Sequence, residues 1–207
     1  MTTAPTARQR EFIDIARREF VDHGYGASSI RTIAQRAGVS LSALYYHYAS
    51  KQDLLVAILD DGLATFLDMC RDELERCDDT PESRLRAMVA GFVRFRTLHQ
   101  EQSRLVQTEV RNLEPDHLKG YQARQHAPLQ TLAGIIDDGV REGVFRTPYP
   151  DDARRAIISM CNAIANWYRS DGPDSVDEIV ERYGDLALVI VEARPTQTAR
   201  RTRKKVD

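Results

Sequence analysis

Cysteine is scarce in this chain: only Cys70, Cys77 and Cys161, an odd number with no CxxC pair among them. That excludes a disulfide framework and offers no zinc site, so the three are expected to be buried, reduced packing residues. No apolar run approaches the roughly 20 residues that a bilayer-crossing helix needs, and no signal-peptide core stands near the N-terminus. A cytoplasmic protein without membrane contact is the expectation. Catalytic signatures are missing too. The histidines His23, His47, His99, His117 and His126 form no HExxH-type pair, and neither a Gly-rich phosphate loop nor a G-x-S-x-G elbow occurs. An enzyme fares poorly on these grounds, and no cofactor or metal is expected. Finally, no segment alternates apolar and polar residues with the β-branched enrichment of a strand.

What remains is helical periodicity from end to end, in 207 residues of 42% hydrophobic composition, enough to bury a core. The expectation is an all-α fold of about nine helices. Three segments follow from charge and pattern: a head at 1–50, a helical body at 51–193 and a disordered basic tail at 194–207. Residues 1–51 hold seven Lys/Arg against four Asp/Glu, residues 52–193 sixteen against twenty-six, and the tail six against one. A basic head on an acidic body suits a protein of which only the head approaches phosphates. The tail reads as a solubilising end or as an extra phosphate contact. Helix starts are marked by capping side chains: Ser28 or Ser29, Ser40, Ser50 with Asp53, Thr80 with Pro81, and Ser175 with Glu178. The first helix is expected over Arg8 to His23, and later ones over Ser50 to Cys77, Ser103 to Leu113, Pro115 to Gly143, Asp151 to Ser170 and Ser175 to Ala193. Pro128 should kink or divide the one it interrupts.

The segment IRTIAQRAGVSLSALYYHYASK, residues 30–51, spaces Ala34, Gly38 and Leu44 as a helix-turn-helix requires. Ala34 is small where a second helix crosses, Gly38 permits the positive φ of the turn, and Ile33, Val39 and Leu44 supply a shared core. The helix from about Ser40 to His47 would then lie in a major groove. The same turn also joins ordinary helices. The aromatic end Leu44-Tyr45-Tyr46-His47-Tyr48, followed by Ser50-Lys51-Gln52-Asp53-Leu54-Leu55, narrows the choice. From Phe12 to Leu55 the chain resembles the TetR family of bacterial regulators, departing from its pattern at Tyr48, at Gln52-Asp53 and at Leu41-Ser42.

That resemblance implies DNA-binding roles by position. Arg31 would reach the groove edge, Ser40, Ser42 and Ala43 would face bases, and Leu41 and Ala43 could meet thymine methyls. Thr32, Tyr45, Tyr46, His47 and Lys51 would hold phosphates. It also implies a homodimer on a palindromic operator, paired through the two C-terminal helices with Ile157, Ile158, Cys161, Ile164, Ala165, Tyr168, Ile179, Tyr183, Leu186, Ala187 and Ile190. Part of that stripe could equally be internal core. A small-molecule effector would bind among the middle helices near Phe66, Met69, Phe92, Phe95, Leu105, Tyr121, Asn162 and Asn166, residues that can also be plain core. The segments Glu109-Val110-Arg111-Asn112-Leu113 and Asn166-Trp167-Tyr168-Arg169 resemble the branch regulating fatty-acid and steroid degradation, which points to an acyl-CoA thioester or related metabolite. Arg111, Arg124, Arg154, Arg155 or Arg169 would then meet its phosphates. Repression is the expected mode, with activation or ligand-independent DNA binding as the alternatives.

Overall fold

The hydroxyl groups that mark helix starts in the sequence do cap helices. The computed structural model describes residues 5–193, so the basic tail expected to be disordered lies outside the described residues. Among those residues the regular structure is α1 (Ala7–Ala27), α2 (Ile30–Arg36), α3 (Leu41–His47), α4 (Lys51–Arg76), α5 (Pro81–Leu98), α6 (Gln100–Glu109), the 3-10 turn Val110–Asn112, α7 (Pro115–Arg141), α8 (Pro150–Trp167) and α9 (Val176–Ile190), with no strand. Ser29, Ser40 and Ser50 accept from the backbone N–H groups of Thr32, Ala43 and Asp53 at 3.0, 3.1 and 3.0 Å. At Ser175 the box is reciprocal, because the Glu178 carboxylate accepts from the Ser175 N–H at 2.8 Å. Asp53 is one methylene shorter than Glu and accepts from the Ser50 hydroxyl instead, at 2.8 Å. A further box, Thr6 with Gln9, starts α1.

Several boundaries differ from expectation. The first helix runs past His23 to Ala27 across a kink at Gly24, and α6 begins at Gln100 and tightens into the 3-10 turn. Helix α7 is not divided at Pro128. The missing N–H removes one ladder bond from a helix of 27 residues without ending it. Cys77 is only half-buried at the end of α4, whereas Cys70 and Cys161 are buried; all three are free thiols. Burial pushes Cys70 and Cys161 up to about 12, so both stay protonated and inert.

Two apolar clusters organise the packing. The first gathers Phe12, Ile13, Ala16 and Phe20 of α1 around Ile33, Ala34 and Leu44, and continues through Leu54, Leu55, Ile58 and Leu59 of α4 to Leu105, Leu113 and Tyr121. The core of the head therefore does not stop at residue 50. The second cluster surrounds α5, which is apolar on nearly every face and packs against α4, α7, α8 and α9. Phe66 of α4 packs against both clusters. Helix α5 crosses α4 at Gly91, where an added Cβ would stand 2.7 Å from the Cys70 Cα.

That crossing leaves no room for a methyl group. Gly91→Ala is expected to lower unfolding stability by about 1–3 kcal/mol through overpacking. Gly134→Ala is the control: it lies on an exposed stretch of α7 with nothing within 4 Å of the new Cβ, and should raise stability by roughly 0.5–1 kcal/mol. Chemical denaturation of the two variants checks both signs.

Candidate nucleic-acid interface and effector cavity

In the head, Gly38 takes φ 64° at the turn between α2 and α3, the conformation an L side chain rarely adopts. Leu44 and Ile33 are fully buried, which leaves one side of α3 turned outward. Ser42, Ala43, Tyr45 and Tyr46 lie on that side, Tyr46 at 86% exposure, and Arg31 and the cap residue Ser40 are exposed beside them. None of the described carboxylates is within ion-pair distance of Arg31, so its guanidinium is free to meet another anion. Behind this face, Arg36 pairs with the buried Glu19 at 2.9 Å and ties α2 to α1.

Four residues assigned to the interface sit differently from the rest. Leu41 is only partly exposed and packs on the head cluster. His47 is half-buried, with its ring 5.3 Å from that of Phe12. Thr32 is half-buried, its hydroxyl 2.8 Å from that of Ser29. Lys51 turns inward: its ammonium donates to the carbonyls of Tyr25 and Ser28 at 2.6 and 2.8 Å and lies 4.1 Å from the centre of the Tyr25 ring. Burial draws its pKa down from the usual lysine value. The last residues of α1 need their carbonyls satisfied, and Lys51 does this from the first position of α4.

The neighbouring Gln52, noted in the sequence only as a departure from the family pattern, is buried and joins three elements. Its amide nitrogen donates to the Tyr25 hydroxyl at 3.0 Å and the Asn112 carbonyl at 2.7 Å, and its oxygen accepts from the Glu114 N–H at 3.3 Å. Higher up, Asp61 of α4 accepts from Arg17 of α1 and Gln102 of α6, each at 2.8 Å. Helix α4 thus holds the head and the start of α7 in one polar frame.

A cavity of about 180 Å³ opens two turns beyond Asn112. Gly62, Leu63 and Phe66 of α4 and Phe92, Phe95 and Arg96 of α5 form one side. Tyr121, Gln125, Pro128 and Leu129 of α7 close it, with Val106 of α6 and Ile158 and Asn162 of α8. Of the expected liners, Phe66, Phe92, Phe95, Tyr121 and Asn162 are here. The others are not. Leu105 is buried in the first cluster, half-buried Met69 lies farther along α4 and does not line the cavity, and Arg111 and Asn166 are exposed outside it. Arg124 points out to Asp60 at 2.7 Å, while Arg154, Arg155 and Arg169 pair with Asp151, Asp152 and Asp171 on the surface. Arg96, which sequence reasoning passed over, is the cation inside. The signal was available, since it follows Phe92 by four positions and so shares its helix face.

An exposed polar and aromatic helix on a three-helix head, carried by a helical body with a cavity, is the architecture of a helix-turn-helix transcriptional regulator. Two family models match this chain: "Bacterial regulatory proteins, tetR family" over residues 12–58 and "Tetracyclin repressor-like, C-terminal domain" over residues 78–191. The chain belongs to the TetR family of DNA-binding transcriptional regulators. It is similar to the HTH-type transcriptional repressor KstR2 of Mycolicibacterium smegmatis, 27% identical over 191 residues that cover 90% of each chain. A solved tetR-family regulatory protein from Rhodococcus RHA1 matches with a TM-score of 0.84 at 26% identity, over 92% of this chain and 100% of that one. AibR, solved in complex with isovaleryl coenzyme A and operator DNA, matches with a TM-score of 0.79 at 21% identity over 90% of this chain and 100% of that one, a likeness of fold.

Lys51→Met separates the inward role from phosphate contact. It should cost about 1–3 kcal/mol of stability by stranding two carbonyls, with the salt dependence of DNA binding unchanged. A lost phosphate contact would instead lower the slope of log affinity against log salt by about 0.9.

Proposed function

We propose that this protein is a ligand-responsive repressor that binds a two-fold symmetric operator as a homodimer and leaves it when a small molecule occupies the cavity. The observation that carries this reading is the course of α4. The helix begins under the DNA-facing head at Lys51 and lines the cavity at Gly62, Leu63 and Phe66. At a rise of about 1.5 Å per residue, the two ends of this stretch stand roughly 20 Å apart on one rigid element. A ligand that displaces Phe66 tilts α4, and Gln52 and Lys51 carry the tilt into α1 and the head.

In this reading Arg31, Ser40, Ser42 and Ala43 meet base edges while Tyr45 and Tyr46 hold phosphates. One short helix reads few base pairs, so specificity needs a second copy. Most of the apolar stripe on α8 and α9 is internal: Ile157, Cys161, Ile164, Ala165, Ile179 and Ala187 are buried within the chain. The residues left for a partner are Trp167, Leu186 and Val189, exposed at 44, 48 and 72%. For the effector, an acyl-CoA thioester fits the shape available. The small apolar cavity suits a short acyl group. The open groove of about 500 Å³ between α4 and α7, which shares Pro128 with the cavity, suits the carrier.

Selection of duplexes from a random pool should return an inverted repeat, and an acyl-CoA whose chain is short enough for the cavity, such as hexanoyl-CoA, should release it. Retention of that duplex at saturating concentrations of every acyl-CoA tried would remove the thioester from the reading. Arg31→Ala should cost roughly 1–3 kcal/mol on the selected site and little on random DNA; equal losses on both would make Arg31 a phosphate contact only. Leu186→Glu with Val189→Glu should convert the dimer to monomer in sedimentation. A dimer that persists places the interface elsewhere.

A further inference from the structure

Arg96 lies in a cavity otherwise lined mainly by apolar and aromatic side chains, without a carboxylate partner. Its Nε and Nη2 both donate to the Asn162 side-chain oxygen, at 3.2 and 2.6 Å. The guanidinium lies over two neighbouring rings, 5.1 Å from the centre of Phe95 and 5.5 Å from that of Phe66. Among the described residues no Asp or Glu is within ion-pair distance, and Nη1 has no hydrogen-bond partner. Gln125 of the cavity wall and the neutral Cys70, Cys161 and Tyr121 are among the other polar groups around it, and burial pulls its pKa below the usual arginine value.

Arg124, Arg154, Arg155 and Arg169 meet carboxylates at the surface. An amide oxygen and two ring faces offset part of the cost of burying a guanidinium, but they leave its net charge uncompensated. Arg96 lines the cavity with one nitrogen of its guanidinium unbonded, and arginine presents donors in a planar fork that matches a carboxylate. From these observations we propose that the part of the effector entering this cavity is a short apolar group ending in a carboxylate, held by Arg96 with Asn162 fixing the plane of the fork. The inference rests on the reading of this cavity as the effector site. The carboxylate can belong to a free acid or to the far end of a dicarboxylic acyl-CoA.

Four probes separate these cases in calorimetric titrations of the full chain: hexanoate against 1-hexanol, and adipoyl-CoA against hexanoyl-CoA. At least one carboxylate should bind roughly tenfold or more tightly than its uncharged counterpart. A response to hexanoate identifies a free acid, and a response to adipoyl-CoA alone identifies the thioester. In Arg96→Met the preference should vanish while the unliganded protein melts at or above the wild-type temperature, because a half-buried cation without a carboxylate partner has been replaced by an apolar side chain of similar length. Arg96→Lys should keep part of the preference. No preference, a preference that survives in Arg96→Met, no binding of any probe, or an unliganded Arg96→Met that melts well below wild type would overturn the proposal. Release from DNA is measured separately. A carboxylate that binds without releasing DNA defeats the effector reading and leaves the anion site standing. Release by hexanoyl-CoA as readily as by adipoyl-CoA, from wild type and Arg96→Met alike, does the reverse.

Discussion

The buried amide of Gln52 fixes where the head stands on the body. One side chain bonds the end of α1, the 3-10 turn and the first residue before α7, and it does so from the second position of α4. A buried amide that loses any of these partners carries an unsatisfied polar group, so the three elements keep their spacing together. Lys51 adds a charged tie to the same α1 terminus. The head is thus bolted to the root of α4, not flexibly tethered. Motion of the head relative to the body has to pass through α4 or through the junction of α6 and α7.

Both routes lead to the cavity. Phe66 packs against the head-side cluster and the body cluster, and its ring lies 5.0 Å from Phe92 and 5.4 Å from Phe95. Close-packed interiors transmit displacement because they have no slack to absorb it. The crossing at Gly91 pins α4 to α5 one turn farther along, with backbone almost touching backbone. A side chain forced aside at Phe66 therefore acts on a helix clamped at one end and bonded to the head at the other.

The sequence made the frame legible wherever the chemistry was local. Caps at Ser29, Ser40, Ser50 and Ser175 depend on neighbours three residues away, and the turn at Gly38 on a single φ; these could be read without a structure. Half of the residues expected around an effector line the cavity for a similar reason, since Phe92 and Phe95 share a face of one helix. Residues whose fate depends on tertiary geometry were not legible. Lys51 was given a phosphate contact by its position in the family pattern. Nothing nearby in the sequence announces that the carbonyls of Tyr25 and Ser28 fold over it. Arg124 and Arg96 look alike as sequence, yet one meets Asp60 at the surface and the other faces Asn162 inside. The difference lies in which side of two helices meets a third.

Arg96 also bears on how binding and motion are coupled. An apolar residue at that position would pack with less cost in the empty protein, so the arginine burdens the unliganded state. On the proposal made above, an anion arriving in the cavity would remove that burden, and the gain would be largest where the walls close around the new pair. Binding of this kind favours whichever arrangement of α4, α5, α7 and α8 best desolvates the guanidinium. Because α4 belongs to that wall and to the head, the arrangement that suits the ligand need not suit the DNA. A differential affinity between two such arrangements is what a regulator requires, since a ligand that bound both equally would shift nothing.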